Sequence, residues 1–221
     1  MTRLLVLRPQ PGADATVAKA RERGLKAVAV PLFEIEPTAW NPPEVAGFDG
    51  LLLTSANAVR MAGDGLKALR GLKAYTVGEA TAEAAREAGF DIAATGDSGV
   101  DRLLGSLEPD LKLLHPCGAD RREPSEAKQK IIPIPVYRAK PVEAPDLSGA
   151  EAGIALVHSP RAGRRLAELV SDRERISIAA ISEAAAEAVG DGWRTVRAAE
   201  KPSDDALLAL AASLCDNPHP K

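Results

Sequence analysis

Only two cysteines, Cys117 and Cys215, occur in the 221 residues of this chain. They lie far apart without metal-ligand spacing, which argues against a disulfide framework and for a reducing compartment. No His, Cys, Asp and Glu set has the spacing of a metal site, so no metal is predicted. The turn after the first apolar run, Gly12-Ala13-Asp14-Ala15, is neither a dinucleotide fingerprint nor a P-loop, which disfavours nucleotide-dependent chemistry. Long hydrophobic runs are missing too. The N-terminus has four apolar residues between Arg3 and Arg8, too few for an export signal or a membrane span, and a cytoplasmic protein is expected. A net charge of -3, with Lys and Arg spread through the chain, gives no electrostatic case for nucleic acid.

What is present is a repeated strand-helix grammar. Leu4 to Leu7 reads as a buried strand, Asp14 as the cap of a helix ending at Gly24, and Ala27 to Val30 as a second strand, the βαβ start of a parallel sheet. Further strands are expected at Gly50 to Thr54, Lys73 to Val77, Ile92 to Ala94, Leu111 to Leu114, Ile154 to Val157, Ile176 to Ile181 and Thr195 to Val196. Ser55 caps a helix that Gly63 and Gly65 should break. Ser98 and Ser203 are expected to cap later helices, and His115-Pro116-Cys117-Gly118 to form a turn. The tail from Asp216 is expected to fray.

Two stretches depart from this grammar. Val28 to Pro37 and Ile131 to Pro141 mix apolar residues with prolines, which exclude helix and remove donors that a central strand needs. They predict two exposed, extended crossings around a compact block. The expected domains are 1–32 with 140–221, and 38–130, joined by linker strands 33–37 and 131–139.

The later part of the chain also repeats the middle. Leu53-Thr54-Ser55 falls on Val157-His158-Ser159, and Val77-Gly78-Glu79-Ala80 on Ile181-Ser182-Glu183-Ala184, at one constant offset. The fold class predicted is therefore α/β: two similar parallel α/β domains, one discontinuous. In such sheets ligands bind at the carboxyl ends of the strands, where helix N-termini present free N–H groups. Ser55, Gly78, Thr81, Ser98, Gly118, Ser159, Ser182 and Ser203 stand at these turns, each also readable as an ordinary cap. Arg8, Arg121, Arg122, Arg161, Arg164 and Arg165 follow strand ends, and Arg8 and Arg161 are the best placed to pair an acidic ligand. His115 and Cys117, two apart in an extended segment, are not expected to face each other as base and nucleophile. Trp40 and Trp193 read as packing residues. Tyr137, a phenol on the second crossing, is either a proton donor in a cleft or a packed ring.

Leu52-Leu53-Thr54-Ser55, Thr76-Val77-Gly78-Glu79-Ala80-Thr81, Leu114-His115-Pro116-Cys117-Gly118, Val136-Tyr137-Arg138, His158-Ser159-Pro160 and Lys201-Pro202-Ser203 together resemble the uroporphyrinogen-III synthase family along nearly the whole chain. The resemblance implies a monomeric, cofactor-free, two-domain lyase with a two-stranded β-ladder linker. Its substrate would be hydroxymethylbilane, a linear octacarboxylate tetrapyrrole, dehydrated and closed with the last ring inverted through a spiro intermediate. It puts Tyr137 where the family's tyrosine assists loss of the hydroxyl, and Ser55, Thr81 and Ser159 at cleft-lining positions. Ser182-Glu183-Ala184-Ala185-Ala186 departs from the family's Gly-Pro-Thr-Thr-Ala, losing two hydroxyls and adding a carboxylate. That departure is the support for the alternative, a non-catalytic module of the same fold that senses an anionic ligand.

Overall fold

The computed structural model describes residues 2–97, 99–121, 123–148, 151 and 153–216. Ser98, Arg122 and the tail beyond Asp216 lie outside the described residues. The chain forms two compact units: Met1–Glu34 with Pro141–Lys221, here the two-segment unit, and Ile35–Lys140, the middle unit.

The chain opens with strand β1 (Arg3–Val6), helix α1 (Gly12–Glu22) and strands β2 (Lys26–Ala29) and β3 (Phe33–Pro37). The middle unit continues with β4 (Gly50–Leu53), α2 (Ala56–Met61), β5 (Ala74–Val77), α3 (Glu79–Glu87), β6 (Ile92–Gly96), α4 (Val100–Gly105), β7 (Lys112–Gly118) and β8 (Lys130–Pro141). The chain then completes the two-segment unit with β9 (Ile154–Val157), α5 (Pro160–Leu169), β10 (Ser177–Ala180), α6 (Glu183–Glu187), β11 (Thr195–Ala198) and α7 (Asp204–Asp216).

One sheet runs β11-β10-β9-β1-β2 and the other β3-β8-β7-β4-β5-β6. The central strands β4 and β9 are buried at every residue, as continuous apolar runs covered on both faces should be. In β4, Leu51 and Leu53 join the cluster of Val59, Leu66, Ala85 and Phe90, while Leu52 turns the other way onto Leu103 and Leu104 of α4. In the two-segment unit, Leu4, Val6, Ile154 and Leu156 pack against Val17 of α1 and Leu207 and Leu208 of α7.

The expected helix break falls at Gly63 (φ +62), where α2 gives way to a 3₁₀ stretch, Gly63–Leu69. Trp40 packs on this turn; its Nε1 donates to Ala62 O at 2.8 Å and its ring leaves no room for a side chain on Gly65. Trp193 is likewise a packing residue, its Nε1 donating to Val189 O.

Two local expectations are corrected. Asp14 is not the cap of α1, which begins at Gly12 after Pro11; Asp14 lies in the first turn, exchanging hydrogen bonds with Gln10. His115-Pro116-Cys117-Gly118 is the buried end of β7 rather than a turn. By Pro116, β4 no longer pairs with β7, so the missing donor costs no ladder bond on that side. Ile131 to Pro141 is extended as expected, lying within β8, where only Val136 is buried; β8 pairs with β7 along its earlier part and lies beside β3 in its later half.

The prolines of β8 fit for a directional reason. Lys130 N donates to Leu111 O on the β7 side, so by the two-residue period the nitrogens of Pro133 and Pro135 face away from β7. There β3 has already ended. Thr38 N donates to Val136 O, Glu36 pairs with Arg138, and Val142 N donates to Leu32 O, so β3 runs antiparallel to β8 beside its later half.

Candidate functional site at the carboxyl edges

In the middle unit the carboxyl ends of β4 and β7 meet β8. Ser55, N-cap of α2, accepts from Asn57 N at 3.2 Å, and Tyr137 OH donates to the same Ser55 Oγ at 3.4 Å. The Tyr137 ring lies against Gly118: a Cβ there would sit 2.8 Å from Cζ and 3.0 Å from the hydroxyl. Gly118 is thus not at a helix N-terminus, since no helix follows it before β8 among the described residues; it is the clearance under the phenol. A β-bulge sets this up, Cys117 pairing Pro135 and Gly118 pairing Tyr137, with Val136 as the extra residue.

Beneath this pair, His115 is buried, with Nε2 3.1 Å from Thr54 Oγ1. Burial first, then the Arg121 charge, lowers its pKa to about 4, so the ring is neutral at physiological pH. Cys117 shares that face of β7, about 7 Å along the strand. Its thiol is pushed up by burial, against opposing effects of Arg121 and the Ile134 backbone, which makes it an inert structural cysteine. Arg121 itself is paired with Glu123 at 2.9 Å.

Thr81, expected at a cleft lining, is in α3 and only 5% exposed. Gly78 (φ +82) caps that helix, and Gly99 (φ +104) caps α4 in the place where Ser98 was expected.

The two-segment unit has an edge of different character. Ser159 caps α5, accepting from Ala162 N at 3.2 Å, and Ser182 caps α6, accepting from Ala185 N at 3.4 Å. Ser203 Oγ accepts from Ala206 N at 3.2 Å at the start of α7. Glu183 is exposed on the first turn of α6. Arg161 stacks 4.4 Å from the Phe33 ring centroid, and Arg165 bridges Glu168 and Val142 O. Arg164 is exposed.

Sequence reasoning missed the cluster around Asp204. Arg8 Nη1 donates to both its oxygens at 3.0 and 3.2 Å, and Thr16 Oγ1 lies 2.8 Å from Oδ2. His158 Nε2 stands 3.2 Å from Oδ1, off the line of a hydrogen bond. Burial would raise the Asp204 pKa, but the His158 contact, the Arg8 charge and the Thr16 hydroxyl outweigh it and hold the carboxyl well below the usual carboxylate range. One signal was available: His158 falls where the repeat has Thr54, so the two edges could not share a hydrogen-bond pattern.

Among the described residues no group of three or more His, Cys, Asp or Glu could hold a metal ion, and no helix is long and apolar enough to cross a membrane.

The chain as a whole has the fold of solved uroporphyrinogen-III synthases. The crystal structure of uroporphyrinogen-III synthetase from Helicobacter pylori matches with a TM-score of 0.67 at 20% identity, covering 97% of this chain and 100% of that one. A mutant synthase from Thermus thermophilus matches at 0.53 and 18% identity, covering 98% of this chain and 100% of that one. At such identities the likeness is one of fold. The uroporphyrinogen-III synthase of Chlorobaculum parvum is 34% identical over 101 residues, 42% of this chain, so the match spans about two fifths (41%) of that relative's length. The family profile described as uroporphyrinogen-III synthase HemD matches residues 14–209, and the chain belongs to that family.

Proposed function

We propose that the protein is a uroporphyrinogen-III synthase, a cofactor-free lyase that dehydrates hydroxymethylbilane and closes it to uroporphyrinogen III, with the last ring inverted through a spiro intermediate. Family membership supports the reaction, and the hydroxyl pair Tyr137–Ser55 above Gly118 is the observation that supports the site. In this reading the protein acts as a monomer, and its two units serve as two domains joined by the β3–β8 ladder.

The departing group is a hydroxyl, which leaves as water once it takes up a proton. Tyr137 OH and Ser55 OH are the donors available at this edge. Ser55 Oγ already accepts from Asn57 N and Tyr137 OH, so its own proton is free to point outward. The remaining electrophile closes the ring, and which carbon attacks depends on how the last pyrrole is held; positioning is therefore the larger part of catalysis. The octacarboxylate is held by Arg8 and Arg161 and by turns at Ser159, Ser182 and Ser203.

Incubation with freshly made hydroxymethylbilane, followed by separation of the isomers, tests the reaction: uroporphyrinogen III is expected. The uninverted isomer alone, at the spontaneous rate, would overturn it. Tyr137→Phe should lower turnover by roughly tenfold or more, the lower part of the range for acid catalysis. Unchanged turnover would reduce Tyr137 to a packed ring.

A further inference from the structure

Arg8 is held in an unusual way. Its Nη1 alone carries the contacts to Asp204, at 3.0 and 3.2 Å, and a longer one to Thr16 Oγ1 at 3.4 Å. The rest of the guanidinium lies flat on the start of α1: a Cβ on Gly12 would meet Nε at 2.6 Å, Cζ at 2.9 Å and Nη2 at 3.0 Å. Nε and Nη2 make no hydrogen bond among the described residues, and the side chain is 35% exposed. A guanidinium whose role was only to tie α7 to β1 would engage Asp204 through two nitrogens, the favoured fork geometry. Here one nitrogen anchors the group, and the two-donor edge formed by Nε and Nη2 is left over.

We infer that Arg8 is a receptor for a carboxylate of the ligand, presented by three positioning residues: Asp204 and Thr16, which anchor Nη1, and Gly12, whose missing side chain leaves space for the guanidinium plane. The inference rests on the proposed reading, which supplies a polycarboxylate ligand, and it assigns roles to Gly12, Thr16 and Asp204 that the sequence did not suggest. Arg8 stands two residues beyond β1, at the sheet's carboxyl edge, where ligands of open α/β sheets bind. The anchor lowers the entropy lost on binding, because the side chain is ordered before the ligand arrives. Asp204 also cancels most of the local charge, so recognition depends on the direction of two donors. That requirement separates Arg from Lys.

The test uses the full chain and uroporphyrin, a stable octacarboxylate macrocycle whose fluorescence reports binding. Arg8→Lys keeps the charge and loses the fork; its Kd should rise about tenfold or more, as for loss of a hydrogen bond to a charged group. Gly12→Ala separates binding from stability. At the first residue of α1 alanine is tolerated as glycine is, yet its Cβ must displace the guanidinium. Weaker uroporphyrin binding at an unchanged Tm is expected, and a purely structural Arg8 would not produce that combination. If the wild-type chain makes uroporphyrinogen III while both variants bind uroporphyrin as it does, the Arg8 assignment is overturned and the functional reading stands. If the wild-type chain neither converts hydroxymethylbilane nor binds uroporphyrin, both fall together.

Discussion

The strands of the two-segment unit lie in the order β2-β1-β9-β10-β11, and those of the middle unit in the order β8-β7-β4-β5-β6. Apart from β3, which adds an outer strand beside β8, these are the same sheet element for element, threaded differently. The two-segment unit makes its β1-β2 pair first, whereas the middle unit makes the equivalent β7-β8 pair last. Registers agree: Ile154 and Gly50, which the repeat superposes, pair with Leu4 and Leu113. Four residues further on, Arg8 and Cys117 hold the same place. The backbone edge is therefore shared, and the chemistry on it is opposite in kind. One edge holds a charged group around Asp204, the other a neutral set of Thr54, Ser55, His115 and Tyr137. The connection after the first strand explains part of this. In the two-segment unit it is α1, which brings Gly12 and Thr16 to Arg8. In the middle unit no helix lies there among the described residues, and the segment is tied to α4 instead, Ser125 to Asp101 and Gln129 to Leu104 O.

The comparison breaks first at the cores. Leu52→Ala removes a fully buried side chain from the middle sheet and should cost about 2–5 kcal/mol, from lost transfer energy plus a cavity. Denaturant unfolding followed by hydrogen exchange should show the loss concentrated in the middle unit. Equal loss of protection in β9 and β10 would mean that the units unfold as one.

The edges differ in their response to pH. His115 has a folded pKa of about 4, below its unfolded value of 6.5. The unfolded chain therefore takes up the proton first, and stability is intact above about pH 6.5 and falls as the pH drops toward 4. Integrated over that window the loss is about 3 kcal/mol. Asp204 has a depressed folded pKa, so its contribution is present above the ordinary carboxylate value, about 3.9, and is lost only as the pH falls through the lower folded value. Exchange protection should fall in the middle sheet between pH 6.5 and 4 while the other sheet holds. His115→Gln should flatten the response; an unchanged slope would remove His115 as its cause.

Smaller effects sharpen the likeness. Ser55→Ala and Ser159→Ala remove equivalent caps, and each should cost about 1 kcal/mol in thermal unfolding. A larger loss of turnover for Ser55→Ala than for Ser159→Ala would assign the extra effect to the Tyr137 contact. Least of all, Glu36→Gln removes a solvent-screened ion pair with Arg138 and should leave thermal unfolding nearly unchanged.

The strands were legible because buried parallel strands are written as short apolar runs, and the repeat was legible because its turns carry small hydroxyl residues at fixed places. The end of β7 was misread because His-Pro-Cys-Gly has the composition of a turn. What keeps it a strand is pairing with β8, a partner distant in the chain. In β8 the prolines were legible as marks of an extended segment with little burial, but composition does not tell which side their absent donors face. The Asp204 cluster was illegible for a more general reason: its members stand at 8, 16, 158 and 204, and no local pattern joins them. Tyr137 was visible as an isolated phenol, but its partner Ser55 and the clearance at Gly118 arise from a bulge that composition does not encode.

That bulge makes the site sensitive to the phase of the chain. A strand's side chains alternate like odd and even page numbers, and Val136 is the inserted page that lets Val136 and Tyr137 face the same core in succession. Loss of one residue between Ile131 and Val136 would leave the composition almost unchanged and the sheet able to form. It would also take up the extra residue, so that Val136 and Tyr137 could no longer face one core in succession; for this edge length matters more than identity.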